Sequence, residues 1–154
     1  MSIDLELQIA SSIQTLPHPA QFREWVSATL WQRIETAELT IRIVDEDEII
    51  ALNQQYRKKT GSTNVLSFPY EAIPGVASRF LGDIVICAPI IEKESNEQQK
   101  PLLAHWAHMV VHGTLHLLGY DHQTDEEAVE MESTETDILL KLGFQPPYGE
   151  TITP

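Results

Sequence analysis

Three histidines stand close together towards the C-terminal end of the chain, at His112, His116 and His122. Residues four apart on a helix project from one face, a single turn from each other. His112 and His116 would therefore offer two imidazoles to one metal ion. His122 cannot extend that row, because Gly119 intervenes, and glycine readily takes the left-handed backbone that ends a helix and redirects the chain. The expected geometry is two ligands on a helix and a third swung back from the turn after it. Three neutral nitrogens with a fourth position open suit a catalytic zinc ion better than a closed structural one. Such an ion lowers the pKa of its water to about 7, which suits hydrolysis of a carbonyl or of a phosphodiester. The bland alternative is a histidine-rich helix end with solvated or packed rings, which the third histidine disfavours.

The zinc-protease motif His-Glu-x-x-His sets a general base beside its first ligand. Here that position is Gly113, although Gly119 and His122 satisfy the glycine and third histidine of the longer protease pattern. The ligands of that class are present without its base, so peptide hydrolysis by the usual route is not expected. Phosphodiester cleavage needs positive groups aimed at non-bridging oxygens. Arg57 is the obvious candidate, being planar, permanently charged and suited to phosphate. Its spacing alone better fits a helix-end cation favoured by the helix dipole, because 55 residues separate it from His112.

The elements that must position these residues follow from hydrophobic period. Ile3, Leu5, Leu7 and Ile9 alternate with polar residues as a strand with one buried face. Pro19 opens a helix carrying Phe22, Val26, Leu30 and Ile34. Leu39, Ile41 and Ile43 form a second strand. Asp45 with Glu48 reads as a capping box for a helix that buries Ile49, Leu52 and Tyr56 and ends near Lys58. Asn64 to Tyr70 is a third strand, residues 71 to 80 a loop, and Leu81 to Ile86 a fourth strand, apolar except at Asp83 and so central. Residues 92 to 100 read as a polar linker or exposed first turn. Pro101 opens the histidine helix, in which His105, His108, His112 and His116 form a stripe beside an apolar side of Leu103, Trp106, Ala107, Val110 and Leu117. The last helix begins at Thr124, with Glu127 completing a capping box, uses Val129, Met131, Ile138 and Leu142, and stops at Gly143. Its seven acids between Asp125 and Asp137 read as a solvated face. The fold class is α+β (mixed α/β): a single domain over residues 1–154, with a sheet of about four strands, four to five helices, the metal site on the penultimate helix, and a loose tail from about 144.

With 154 residues the chain is long enough for a real core. One cysteine, Cys87, excludes an internal disulfide framework, and no secretory signal or membrane-length apolar run is present, which together fit a soluble cytoplasmic protein. A net charge of −13 argues mildly against nucleic acid. The consecutive Arg57, Lys58 and Lys59 nevertheless allow a local positive patch.

The stretch from Val111 to His122 resembles the signature of the YbeY family of bacterial endoribonucleases. Leu52 to Lys59, Thr63 to Pro69 and Leu81 to Ile86 are similar to that family's other blocks, in order, and the likeness runs from about Asp45 to Gly143. It implies a single-strand-specific, metal-dependent endoribonuclease, usually with zinc (one ion per chain), acting in ribosomal RNA maturation at the 3′ end of the small-subunit 16S RNA and in ribosome quality control. Carried over, His112, His116 and His122 are the metal ligands. Arg57 faces the metal, and Arg57 and His116 carry catalysis. Implied partners are single-stranded ribosomal RNA and small-subunit proteins, with neither DNA nor membrane. Asn64 departs from the aspartate expected more often there. His108 is either a packed histidine or one that supports a ligand. Two rival functions share these features: a metal-dependent hydrolase of a peptide or small substrate, and a ribosome-assembly binding factor with a structural metal.

Overall fold

The computed structural model describes residues 1–71 and 73–148. In chain order the elements are β1 (Ser2–Ala10), α1 (Pro19–Leu30), β2 (Thr36–Val44), α2 (Glu46–Arg57), β3 (Val65–Pro69), β4 (Phe80–Cys87), α3 (Ala88–Gln98), α4 (Leu102–Leu117) and α5 (Asp125–Lys141). The strands form one mixed sheet in the order β1-β2-β4-β3, with β1, β2 and β4 parallel and β3 antiparallel to β4. This is the α+β architecture expected, with four strands and five helices among the described residues.

Alternation sorts the strand residues between two faces. Leu39, Ile41 and Ile43 of β2 and Ile84 and Ile86 of β4 point into the main core, which α1, α4 and α5 close with Phe22, Trp25, Trp106, Val110 and Met131. Val44, Val85 and Cys87 point the other way, and α2 covers them with Ile49. β4 is the central strand its composition suggested, although Asp83 lies on the less covered face and is half-buried. β1 is an edge strand, and its expected apolar face fades along its length: Ile3 is buried whereas Ile9 is exposed.

Four local expectations differ from what is observed. Residues 92 to 100 are not a linker. Pro89 sits in the first turn of α3, where its missing N–H costs nothing, and Ala88, Ile91 and Ser95 recur at helical spacing on its buried side. Most of the polar residues around them make the solvent face, and Glu94 is turned to His105 and Asn64. Asp45 is the N-cap of α2 but makes no side-chain cap bond. Its carboxylate accepts from Ser11 Oγ, Ser12 N and Ser12 Oγ, while Glu48 pairs with Arg42. Tyr56, Leu103 and Val129 are exposed rather than buried, since each lies on the solvent edge of its helix. The tail is packed as far as Tyr148: Phe144 stacks edge-on against Trp25, and residues 149–154 lie outside the described part. By contrast, the capping box at Thr124 is formed in both directions (3.1 and 3.2 Å).

α4 is the helix on which the rest converges. Eleven of its sixteen residues are buried, so it runs through the core rather than along it, touching α1, α3, α5 and the sheet. Its stability therefore comes from packing more than from propensity, and anything carried on its polar stripe is held rigidly.

Candidate metal centre

The C-terminus of α4 delivers the three histidines. After the cap residue Leu118, Gly119 takes a φ of 103°, open to glycine and strained for other residues. The N–H of Gly119 reaches His116 O (3.0 Å) and that of Tyr120 reaches Leu115 O (3.1 Å), the paired bonds of a Schellman motif. This turn swings the chain back so that the His122 ring stands 5.1 Å from His116 and 5.7 Å from His112, centroid to centroid. His112 and His116 are 4.7 Å apart. One nitrogen from each of the three lies within 4.8 Å of the others. A zinc ion about 2.0–2.1 Å from each nitrogen requires only that the rings close in slightly. The negative end of the α4 dipole also falls here, with His116 in the last turn, and favours a cation.

The donor chemistry fits a metal as well. The His116 pKa is lowered by burial first and then by the neighbouring His112 and His122, a shift that favours the neutral ring with a lone pair to give. His112 Nδ1 is engaged 2.5 Å from Glu135 Oε2, which leaves Nε2 as its ligating atom. A second group, His108, His112 and Glu135, is equally close-knit. Its members are already bonded to one another, His108 Nε2 to Glu135 Oε1 at 3.0 Å and His112 to Glu135 as above. That trio is a hydrogen-bonded cluster behind the metal position, not a second position.

Glu135 is the residue that sequence reasoning assigned to the solvated acidic face of α5. It is fully buried. Burial alone would raise its carboxyl pKa, but hydrogen bonds and charge from His108 and His112 outweigh that and hold it at about 2. The signal that could have separated it from its neighbours is its spacing from Met131 and Ile138, four before and three after, which puts it on the apolar side of α5. His108, left open between packing and support, is buried against Glu135 and has its pKa lowered, chiefly by burial. His105, further up the stripe, bonds Glu94 at 2.8 Å. Glu94 also accepts from Asn64 Nδ2. An aspartate at 64 would face that carboxylate with a like charge, so the asparagine has a local reason.

The three histidines open onto a cleft of about 750 Å³ lined also by Arg57, Lys59, Thr63, Asn64, Ser67, Tyr120 and Asp121. Arg57 ends α2, and Lys58 beyond it adopts a left-handed conformation, which turns the basic run off the helix axis. Two cations from the α2 end thus share a cleft with three imidazoles from the α4 end, although 55 residues separate Arg57 from His112 in the sequence. Gly113 faces elsewhere. A Cβ there would lie 2.9 Å from Ile84 Cγ2 and 3.3 Å from Ser67 Oγ, because α4 packs directly on β3 and β4 at this point. The position that bears the base in zinc proteases points into the sheet.

The family model of endoribonuclease YbeY matches residues 7–143. The solution structure of TM1509 from Thermotoga maritima is similar to this chain, with 28% sequence identity and a TM-score of 0.63, covering 94% of this chain and 90% of that one.

Proposed function

The chain belongs to the YbeY family of endoribonucleases, and on that footing we propose that it is a single-strand-specific, zinc-dependent endoribonuclease that matures the 3′ end of 16S ribosomal RNA and serves ribosome quality control. The observation that carries this reading is one cleft holding both a three-imidazole cluster and two cations, Arg57 and Lys59. His112, His116 and His122 would hold the ion, one per chain. When bound, zinc supplies a Lewis acid and a water acidified to near neutrality. Arg57 binds non-bridging phosphate oxygens and steadies the charge that grows on them as the bond breaks, the role for which a guanidinium is suited. Lys59 adds a more mobile positive charge along the RNA backbone. The partially enclosed cleft admits a single strand with splayed bases more readily than a duplex. Small-subunit proteins are the expected protein partners, in the cytoplasm. Among the described residues no helix is long and apolar enough to cross a membrane.

Peptide hydrolysis is the weaker alternative, because no carboxylate can occupy the place of Gly113 without displacing Ile84. The deciding assay offers single-stranded RNA, double-stranded RNA and a peptide to protein whose zinc content has been measured. Cleavage of single-stranded RNA alone is expected. His116→Ala should lose bound zinc and RNA cleavage together, whereas Arg57→Glu should keep zinc and lose cleavage by at least about 100-fold. A zinc-free His116 variant cutting at the normal rate would overturn the proposal.

A further inference from the structure

Behind the histidine cluster lies a hydrogen-bonded network for which cleavage itself has no evident use. Glu135 reaches from α5 into the core and offers its two carboxylate oxygens to three partners. Oε2 takes His112 Nδ1 at 2.5 Å. Oε1 takes both His108 Nε2 at 3.0 Å and the Tyr148 hydroxyl at 2.6 Å. A carboxylate only accepts, so each contact requires the partner to bring the proton. His112 must then carry its hydrogen on Nδ1, which leaves Nε2 with the bare lone pair that a metal needs. A neutral imidazole free in solution divides itself between two tautomers. Here one of them is selected by a residue 23 positions along the chain.

Tyr148 makes the arrangement more than a pair. The chain leaves α5 by a second Schellman turn, with Gly143 N bonded to Leu140 O and Phe144 N to Leu139 O. It seats Phe144 on Trp25 and returns so that the Tyr148 ring stands edge-on to His108 at 5.3 Å. Its hydroxyl then takes one lone pair of Oε1, and His108 takes another. Oε2 is left directed at His112. Two donors thus fix the rotation of the Glu135 carboxylate about its own axis, and that rotation fixes the plane of the His112 ring.

We infer that Glu135, oriented by Tyr148 and His108, is a positioning residue that locks His112 in the Nδ1–H tautomer and so presets Nε2 to bind the metal. The segment after α5 is on this view a working part of the metal centre. The inference rests on the metal reading above, and its test separates the two. The first measurement is the imidazole ¹⁵N shifts of metal-free, full-length protein, which report the His112 tautomer without any ion. The second is Zn²⁺ affinity by competition with a chromophoric chelator. Wild type should show the Nδ1–H form. Glu135→Gln should lose that preference and weaken Zn²⁺ binding by about 10- to 100-fold. Tyr148→Phe, which leaves the buried carboxylate in place, should weaken it by about two- to tenfold. A wild-type His112 carrying its proton on Nε2 would overturn the inference. So would a folded Glu135→Gln protein with wild-type affinity. If Glu135→Gln does not fold, Tyr148→Phe decides: unchanged His112 shifts and unchanged affinity refute the role. Wild-type protein with the Nδ1–H tautomer but no affinity for Zn²⁺ would sink the metal reading while leaving the Glu135–His112 lock standing.

Discussion

Gly113 shows how a single residue can decide which chemistry a set of metal ligands serves. A zinc protease has a glutamate at that position, beside the first histidine, and its carboxylate must face the substrate. In this chain the position faces Ile84 and Ser67 at van der Waals distance or closer, and Ser67 Oγ donates to the Gly113 carbonyl at 3.2 Å. Gly113→Glu would force a charged side chain into a filled interface between helix and sheet. Overpacking costs about 1–3 kcal/mol, and an unpaired buried carboxylate adds a comparable amount or more. The variant should lose more than about 3 kcal/mol of stability in urea unfolding and gain no peptidase activity. A wild-type unfolding midpoint would show that α4 can lift off the sheet. The same residue scale separates what spacing reveals from what it hides. His112, His116 and His122 were legible because helix period and one glycine dictate their meeting. Arg57 needed a resemblance, since nothing local ties the end of α2 to the end of α4. Glu135 was hidden among six other acids, and only the apolar residues on either side of it mark it as inward-facing.

At the scale of elements, caps and connections decide where the working ends of helices lie. The box at Thr124 formed as its sequence implied, whereas Asp45 was claimed by Ser11 and Ser12 of the β1–α1 connection. The competing partners come from 33 and 34 residues away, and no local pattern announces them. The result is a clasp between that connection and the start of α2, the helix that carries Arg57 at its other end. Hydrogen bonds from Ser11 first, then Ser12, lower the Asp45 pKa below its ordinary value of 3.8. A group whose folded pKa is depressed stabilises the fold above its unfolded pKa and loses that contribution as pH falls through the folded one. Asp45→Ala should therefore cost about 1 kcal/mol at pH 7, with the gap to wild type closing as pH drops below about 4. Thermal unfolding of both proteins at pH 7 and at pH 3 measures it. An equal gap at the two values would mean that the clasp is packing rather than charge. α3 carries a related lesson. Its sequence is so polar that it reads as a linker, yet three small or apolar residues at helical spacing suffice once α4 supplies the opposing surface.

For the whole molecule, the difficulty is a net charge of −13 on a protein that must hold a polyanion. The fold resolves it by separation. The acid-rich outer face belongs to α5, while Arg57 and Lys59 come from the end of α2 and line the cleft with the histidines. With Arg57 and Lys59 as the cations of the cleft lining, recognition is local and few phosphates are neutralised. Counterion release then gives a magnitude. For single strands the slope of log K against log salt is about −0.7 per phosphate contacted, and two cleft cations predict a slope of about −1.4. Lys59→Ala should make it shallower by about 0.7 while leaving zinc content unchanged. Fluorescence anisotropy with a short single-stranded RNA between about 50 and 300 mM salt, on zinc-loaded protein, gives the value. A slope near zero would remove phosphate from the recognition and favour binding to a protein partner. A slope steeper than about −4 would require a basic surface that this chain, with ten lysines and arginines in all, would have to gather almost entirely on one side.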